Sequence, residues 1–389
     1  MATIRKRTWK NSAGEEQVAW QVSYLDQKGT RRRRQFDKKK NADAWLVKAR
    51  GEVATGVHTP DSVSITVIEA ADIWLKACER GRDGRDPVEP HTLRQYQSHV
   101  DHHIKPLIGF ERLSRLTSPK VVDFRDQLLE SRSRALSRKV LTSLKSIINE
   151  SQTRGLVAQN VAKPVGISTA KRHQEPVKIP TKTDVKALLA ALDTRAQNPT
   201  PQIARAWRRY RALLMTAVLT GMRASELRGL SKRHIDLVEM VIHVRQRADE
   251  SGIIGSVKSS AGRRDIPIPE QLCKVLRAWL VECPPGDLSF PNWQGNVEMH
   301  ANIHNRCWVP ISRFAELTDA RNKPRYKFHD LRHFHASMLI ASGATTKEIM
   351  VEMGHSSVQV TFDTYGHLFP EDDINRRRRA EEMAAELSS

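Results

Sequence analysis

The C-terminal part of the sequence contains three short segments with reactive polar residues: FHDLRH at 328–333, MGHSS at 353–357 and TYGH at 364–367. His329 and Arg332 are three residues apart, so they share one face of a helix. Arginine suits phosphate because its planar fork donates two hydrogen bonds and keeps its charge. Histidine moves protons near neutral pH, and tyrosine is one of the few side chains that form covalent intermediates. The stretch therefore supplies a phosphate holder, a proton carrier and a nucleophile.

Two upstream regions of the sequence add further charged residues. Residues 220–227 read TGMRASEL, and VKSS at 257–260 precedes RDIPI at 264–268. Together with H-x-x-R-H, G-H-x-S and the downstream tyrosine, these segments resemble the signature of the tyrosine recombinases, the phage-type integrases. The resemblance covers most of the chain and is strongest after about residue 181.

The resemblance implies a set of site residues and a reaction. The tyrosine attacks the scissile phosphorus and forms a 3′-phosphotyrosine, and rejoining reverses this step without ATP or another cofactor. The two arginines stabilise the transition state, the lysine protonates the leaving 5′ oxygen, and the first histidine transfers a proton at the tyrosine. The second histidine binds the phosphate and the glutamate braces the network. The catalytic residues are Arg223, Lys258, His329, Arg332, His355 and the nucleophile Tyr365, with Glu226 in the supporting role.

Other polar residues of this region have simpler interpretations. His333, His335 and His367 are interpreted as structural. Tyr326 is the nearest competing nucleophile, but its position before the H-x-x-R box disfavours it. A metallohydrolase is disfavoured because no H-x-x-x-H pair carries the glutamate of a zincin, acidic residues near the histidines are few, and an arginine beside them repels a cation. We therefore predict neither a metal nor a cofactor.

The composition indicates a polyanionic partner. The 389 residues carry a formal net charge of +20, which favours nucleic acid. No apolar run approaches the roughly 20 residues that span a bilayer, and the N-terminus lacks the apolar core of a signal peptide. The four cysteines are scattered without a C-x-x-C pair, which is typical of reduced thiols. We expect a cytoplasmic, nucleoid-associated protein that has no membrane contact.

The fold class predicted is a multidomain α+β protein. Residues 1–57 alternate as strands and then turn helical, a pattern that resembles the arm-type DNA-binding domain of phage integrases. Four helical segments within 65–160, the first opened by a capping box of Thr66 and Glu69, resemble the helical core-binding domain of the family. A basic, Pro-containing stretch at 161–180 is predicted to be a linker, and 181–389 is predicted to be a mainly α catalytic domain with a small antiparallel sheet. The candidate DNA contacts are Arg31, Arg32, Arg33 and Arg34 in the first domain, and Arg138 and Lys139 in the second.

The predicted function is site-specific cleavage and rejoining of double-stranded DNA by four protomers on two sites. By analogy with the family, the chain integrates and excises a prophage or genomic island, with an excisionase and a host DNA-bending protein as partners. A type IB topoisomerase-like enzyme and a catalytically silent DNA-binding protein remain as alternatives. The C-terminal tail reads as a basic helix that docks either on a neighbouring protomer or on its own domain.

Overall fold

The computed structural model describes residues 2–12, 14–26, 29–56, 58–61, 63–82, 84–168, 177–369 and 373–388. The chain divides into two compact units, Met1–His173 and Gln174–Ser389. The first contains a small antiparallel sheet with one helix, followed by a helical region, and the second is mainly α with short antiparallel strands. The predicted fold class is therefore confirmed.

The N-terminal sheet has three strands in the order β1-β2-β3. They are β1 (Thr3–Lys10), β2 (Glu16–Leu25) and β3 (Arg31–Phe36), and helix α1 (Lys39–Ala54) follows. Val22, Tyr24, Ala42 and Leu46 form the small core between β2 and α1. The sequence pattern indicated only β2 and β3. Strand β1 was missed because almost all of its residues are exposed, so it lacks the alternation that marks a half-buried strand.

The helical region of the first unit contains α2 (Val67–Arg80), α3 (Pro90–His99), α4 (Lys105–Ile108), α5 (Ser118–Ser131) and α6 (Arg134–Thr153). Helix α2 begins where the sequence predicted, because Thr66 and Glu69 form a capping box. Trp74, Phe124 and Leu144 lie in its core. Residues 169–176 of the predicted linker lie outside the described residues.

Asp61 joins the N-terminal sheet to the helical region. Its carboxylate accepts hydrogen bonds from Ser114 Oγ at 2.5 Å and Arg115 Nε at 3.2 Å, and Arg34 Nη1 of β3 lies 2.9 Å away. Burial would raise the pKa of Asp61, but these donors outweigh burial and hold the pKa below its ordinary value. The sheet and the helices thus belong to one compact unit, and the boundary predicted between residues 57 and 65 stays a prediction.

In its described residues, the second unit has ten α-helices, of which the first seven pack around one main core. In order, they begin with α7 (Lys182–Ala196), α8 (Pro201–Thr220), α9 (Ala224–Arg228), α10 (Glu270–Glu282), α11 (His300–Ile303), α12 (Val309–Phe314), α13 (Asp330–Ala341) and α14 (Thr346–Met353). Helices α15 (Val358–Tyr365) and α16 (Asp373–Ser388) complete the chain. Helix α8 runs through the middle of this core, and Leu213, Leu214 and Val218 are among its buried residues.

Short strands lie between α9 and α10. They are β4 (Ile235–Asp236), β5 (Val241–Val244), β6 (Gln246–Ala248), β7 (Ile254–Ser256) and β8 (Arg264–Pro267). Strands β4, β5 and β8 form one antiparallel sheet, and β6 and β7 form a hairpin. A second apolar cluster includes Ile340 of α13, Met353 of α14 and Tyr365 of α15. Among the described residues, no helix is both long and apolar enough to cross a membrane.

Candidate functional site

Helix α8 ends at a glycine that brings the first arginine into position. Gly221 has φ +59°, in the left-handed region that favours glycine. A Cβ at this position would lie 2.7 Å from Cδ2 of His335, so the backbone also approaches α13 too closely for a side chain. Arg223 then stands directly before α9, and Glu226 lies in the first turn of that helix.

Glu226 is the buried carboxylate of the site. Its Oε1 accepts from Arg223 Nη1 at 2.7 Å, and its Oε2 accepts from Arg264 Nη2 at 3.0 Å and from the Arg223 backbone N–H at 2.9 Å. Burial would raise the pKa of Glu226, but the charges and hydrogen bonds of Arg264 and Arg223 outweigh it, so the pKa is lowered. The predicted bracing contact with Arg223 is present, and Arg264 adds a second one.

Arg264 was not identified from the sequence as part of the site. It is buried at the start of β8, where it also donates through Nε to the backbone oxygen of Glu352 at 2.6 Å. One signal was available. Arg264 precedes Ile266 and Ile268 at alternate positions of a strand, and both isoleucines are buried. A charged residue in register with buried positions needs a buried partner.

Both predicted catalytic arginines reach the backbone before His355. Arg223 Nη2 donates to the Gly354 carbonyl at 2.8 Å, and Arg332 donates to the carbonyls of Gly221, at 2.6 Å, and Met353. Arg332 is buried, and burial together with the charge of Arg223 lowers its pKa to about 9. It stays charged at neutral pH. Two fixed guanidinium groups therefore converge on one place, which is the arrangement that stabilises a phosphoryl transition state.

His355 follows Gly354, which ends α14 with φ +63°. Its Nδ1 lies 2.9 Å from Thr361 Oγ1, and its ring stacks on the Tyr365 ring with the centroids 6.3 Å apart and the planes 14° from parallel. Burial, together with Arg332 and Arg223, lowers the pKa of His355 to about 4. The imidazole is therefore neutral at pH 7 and can donate or accept a hydrogen bond.

Tyr365 is the last residue of α15, and its side chain is 1% exposed. Its hydroxyl lies 2.8 Å from Nδ1 of His333. Burial raises the pKa of Tyr365 to about 12, although Arg332 opposes the shift. The hydroxyl therefore keeps its proton at neutral pH. Tyr326, the competing tyrosine, instead donates to Asp184 at 2.8 Å at the start of α7.

Three histidines lie at or within α13, and they have different contacts. His329 precedes the helix, and its ring packs edge-on against that of His333, with the centroids 5.1 Å apart. Although His329 has exposed surface, partial burial, followed by the neighbouring His333 and Arg332, lowers its pKa to about 4. His335, which is predicted to be structural, contacts the Val218 carbonyl at 3.1 Å.

His333, which the sequence analysis interprets as structural, contacts the Tyr365 hydroxyl through its ring. The available signal was its spacing. It comes four residues after His329, so both face the same side of the helix.

Lys258 occupies a different setting from the buried groups. It lies on the exposed loop between β7 and the single helical turn Ser260–Gly262. That turn leads to Arg264, whose Nη1 donates to the Gly262 carbonyl at 3.2 Å. The lysine loop is therefore anchored at one end to the buried Glu226 network.

The four consecutive arginines of β3 fall into two pairs. Arg32 donates to Asp26 at 2.8 Å, and Arg34 pairs with Asp61 and lies over the Trp45 ring at 5.1 Å. Both side chains therefore lie on the face of the sheet that packs on α1. Arg31 and Arg33 are exposed at the alternate positions of the strand. In the helical region, Arg138 and Lys139 of α6 are exposed.

Comparison with known proteins gives the family. Residues 179–372 match the model of the phage integrase family. The chain is 27% identical over 354 residues to a putative prophage phiRv2 integrase of Mycobacterium tuberculosis, covering 87% of this chain and 86% of the relative. It is 23% identical over 370 residues to the integrase of Mycobacterium phage L5, covering 91% of this chain and 92% of that one.

Solved structures share the fold. The Tn1549 transposon integrase in complex with a circular intermediate DNA has a TM-score of 0.65 at 16% identity, covering 82% of this chain and 100% of that one. The lambda integrase tetramer bound to a Holliday junction has a TM-score of 0.56 at 16% identity, covering 90% and 95%. The chain belongs to the phage integrase family, the tyrosine recombinases, which are enzymes that cleave and rejoin DNA strands.

Proposed function

We propose that this chain is the integrase of a prophage or genomic island, and that it recombines two specific DNA sites through a covalent bond to Tyr365. The observation that carries the proposal is the convergence of Arg223 and Arg332 on the backbone before His355, beside the buried tyrosine. The prophage and phage integrases among its relatives support the biological setting.

Each group has a chemical task in the proposed reaction. The Tyr365 oxygen attacks the scissile phosphorus, the bond to the 5′ oxygen breaks, and a 3′-phosphotyrosine forms. Arg223 and Arg332 carry the negative charge that develops on the non-bridging oxygens, and neutral His355 donates a hydrogen bond to one of them. Lys258 protonates the departing 5′ oxygen. Attack by a different 5′ hydroxyl reverses the step, so the energy of the broken bond is kept.

In the resting arrangement the phosphate site is already formed, but the nucleophile is buried. Glu226 and backbone carbonyls already hold the arginines, so the charge is preorganised. Tyr365 is buried, so its side chain has to leave the apolar cluster of α13 and α14 before its oxygen can meet phosphorus. We therefore place a local movement of the end of α15 before cleavage.

DNA contacts are assigned to the open face of the sheet and to α6. The strand register places Arg5 opposite Gln21, and Gln21 opposite Gln35, so Arg5 lies on the same face as Arg31 and Arg33, away from α1. These exposed cations suit phosphates and base edges. Arg138 and Lys139 extend the positive charge in the helical region.

The assembly and its other partners follow from relatives. The lambda integrase forms a tetramer on a Holliday junction, and we propose the same stoichiometry here, with an excisionase and a host DNA-bending protein directing the reaction. The place of action is the cytoplasm, on the DNA.

Covalent trapping tests the proposal. A nicked, end-labelled duplex that carries the junction sequence of the element is incubated with wild-type protein, Tyr365→Phe and Tyr326→Phe, without added metal, and run on a denaturing gel. We expect a protein–DNA band with wild type and Tyr326→Phe and none with Tyr365→Phe. Native-gel binding without a covalent band in wild type would refute the recombinase and favour a silent DNA-binding protein. Relaxation of a plasmid that lacks any recombination site would favour a topoisomerase.

A further inference from the structure

The hydroxyl of Tyr365 points at a histidine to which the sequence motifs assigned no catalytic role. His333 Nδ1 lies 2.8 Å from the Tyr365 oxygen. The two rings meet at 61°, with the centroids 5.7 Å apart, so a ring nitrogen rather than the ring face meets the hydroxyl. His333 comes directly after the buried Arg332, on the same helix. His333 thus contacts the Tyr365 hydroxyl from the same turn of α13 that carries Arg332.

We propose that His333 is a catalytic residue, the base that takes the Tyr365 proton during strand cleavage. The inference rests on the proposed function and assigns one further group to it. In the forward step, the Tyr365 ring leaves the apolar cluster while its hydroxyl keeps the hydrogen bond to Nδ1 of neutral His333. The Tyr365 O–H bond then breaks and its proton goes to that nitrogen. The tyrosine oxygen bonds to phosphorus, and the 5′ oxygen leaves with a proton from Lys258. Rejoining returns the proton from the His333 imidazolium to the tyrosine oxygen.

The other two histidines of the site are less suited to this task. His355 presents the face of its ring to the Tyr365 ring and directs Nδ1 to Thr361 at 2.9 Å. His329 packs edge-on against the ring of His333, on the side of the helix start. The initial assignment of proton transfer to His329 therefore moves to His333, and His329 stays close to the phosphate-binding arginines.

The surroundings of His333 keep its imidazole neutral, so the ring can accept a proton. Burial lowers the pKa of His333 below its ordinary value, with Asp330 opposing and Arg332 adding to the shift. The ring is therefore neutral at pH 7. Because the pKa of Tyr365 is raised to about 12, the proton moves only as the tyrosine oxygen bonds to phosphorus. The titratable and charged groups that face His333 are His329, Asp330, Arg332, His355 and Tyr365.

The test distinguishes removal of the proton from the tyrosine from protonation of the leaving 5′ oxygen. Cleavage rates are measured on the nicked duplex and on the same duplex with a 5′-bridging phosphorothiolate, whose sulfur leaves without needing a proton. The variants are His333→Asn, His333→Ala and Lys258→Ala. The asparagine amide occupies the position of Nδ1 and keeps a hydrogen bond, but it cannot accept a proton. His367→Ala is the matched control, since that histidine is exposed and only two residues from the tyrosine.

We expect both His333 variants to cleave about 10²–10⁴-fold more slowly than wild type on either duplex. The sulfur leaving group should restore Lys258→Ala but neither His333 variant. With His333→Ala, the rate should rise steeply between pH 7 and pH 10, because hydroxide then takes the proton. His367→Ala should cleave at the wild-type rate. Native-gel binding of the same duplex locates any loss in the chemical step.

Specific outcomes would overturn the inference. A wild-type rate and pH profile in His333→Asn would leave His333 only a hydrogen-bonding role. Restoration of the His333 variants by sulfur would place the residue on the leaving-group side. Both results require a covalent adduct with wild-type protein. A wild-type protein that forms no adduct would refute the proposed function itself, so the two failures are distinguishable.

Discussion

Replacing Glu226 by alanine should strongly destabilise the second unit, because the side chain holds a buried cation. The Glu226 side chain is 3% exposed, and Arg264 Nη2 donates to its carboxylate at 3.0 Å from a side chain that is itself almost fully buried. Removing one partner of a buried ion pair leaves the other charge without compensation and costs about 3–5 kcal/mol. Arg223 loses the same carboxylate, but it is partly exposed and water can replace part of that interaction.

Thermal unfolding of the full-length chain measures this effect. For a unit of about 200 residues, 1 kcal/mol corresponds to about 2–4 °C, so the transition of the second unit should fall by about 6–20 °C. The matched control is Glu282→Ala, which removes an ion pair with Arg208 in the same unit. Both partners of that pair are partly exposed, so the cost should stay below about 1 kcal/mol. Equal shifts in the two variants would refute the role assigned to Glu226.

The pH dependence gives an independent check on Glu226. Its pKa in the folded state lies below the ordinary value of 4.5. Its contribution to stability is therefore fully present above about pH 4.5 and is lost as the pH falls through the folded value. The difference in stability between wild type and Glu226→Ala should shrink in that acid range. A difference that persists after the carboxyl is protonated would show that packing, and not charge, is responsible.

Two further predictions concern backbone and DNA contacts. Gly221→Ala should lower the thermal transition of the second unit, because φ is +59° and the new Cβ would lie 2.7 Å from the His335 ring; an unchanged transition would contradict it. The double variant Arg31→Ala, Arg33→Ala should weaken binding of arm-type DNA and reduce the slope of log affinity against log salt by about 2. Arg34→Ala is its matched control and should leave the slope unchanged, because that arginine pairs with an aspartate; an equal reduction would refute the division of the two faces.

Local motifs predicted what depends on local sequence. The box around Arg223 and the segments around Arg332 and Tyr365 each contain their residue types at fixed spacing, so the family and the fold class followed from them. The capping box at Thr66 predicted the start of α2 for the same reason. In all these cases the residues that define the motif lie within a few positions of each other along the chain.

The sequence did not predict the contacts between segments that are far apart along the chain. Arg264 meets Glu226 across 38 residues, and Arg34 meets Asp61 only after α1 has turned the chain back. The spacing of the four arginines shows that β3 alternates, but it does not say which alternate face packs on the helix. Strand β1 is equally hidden, because its residues are exposed on both faces and its pairing with β2 supplies the order.

The buried state of Tyr365 connects these distant contacts to the chemistry. Arg332 is fixed by carbonyls from residues 221 and 353, and the next residue, His333, contacts the tyrosine hydroxyl. In the proposed reaction, a DNA phosphate that binds the arginine therefore arrives one residue from the group that contacts the tyrosine hydroxyl. Because the guanidinium groups need no rearrangement, the remaining conformational cost falls on the end of α15. We propose that cleavage then depends on how readily that short helix leaves the apolar cluster. Movement of the tyrosine, and not assembly of the phosphate site, would then be the step that contact with DNA controls.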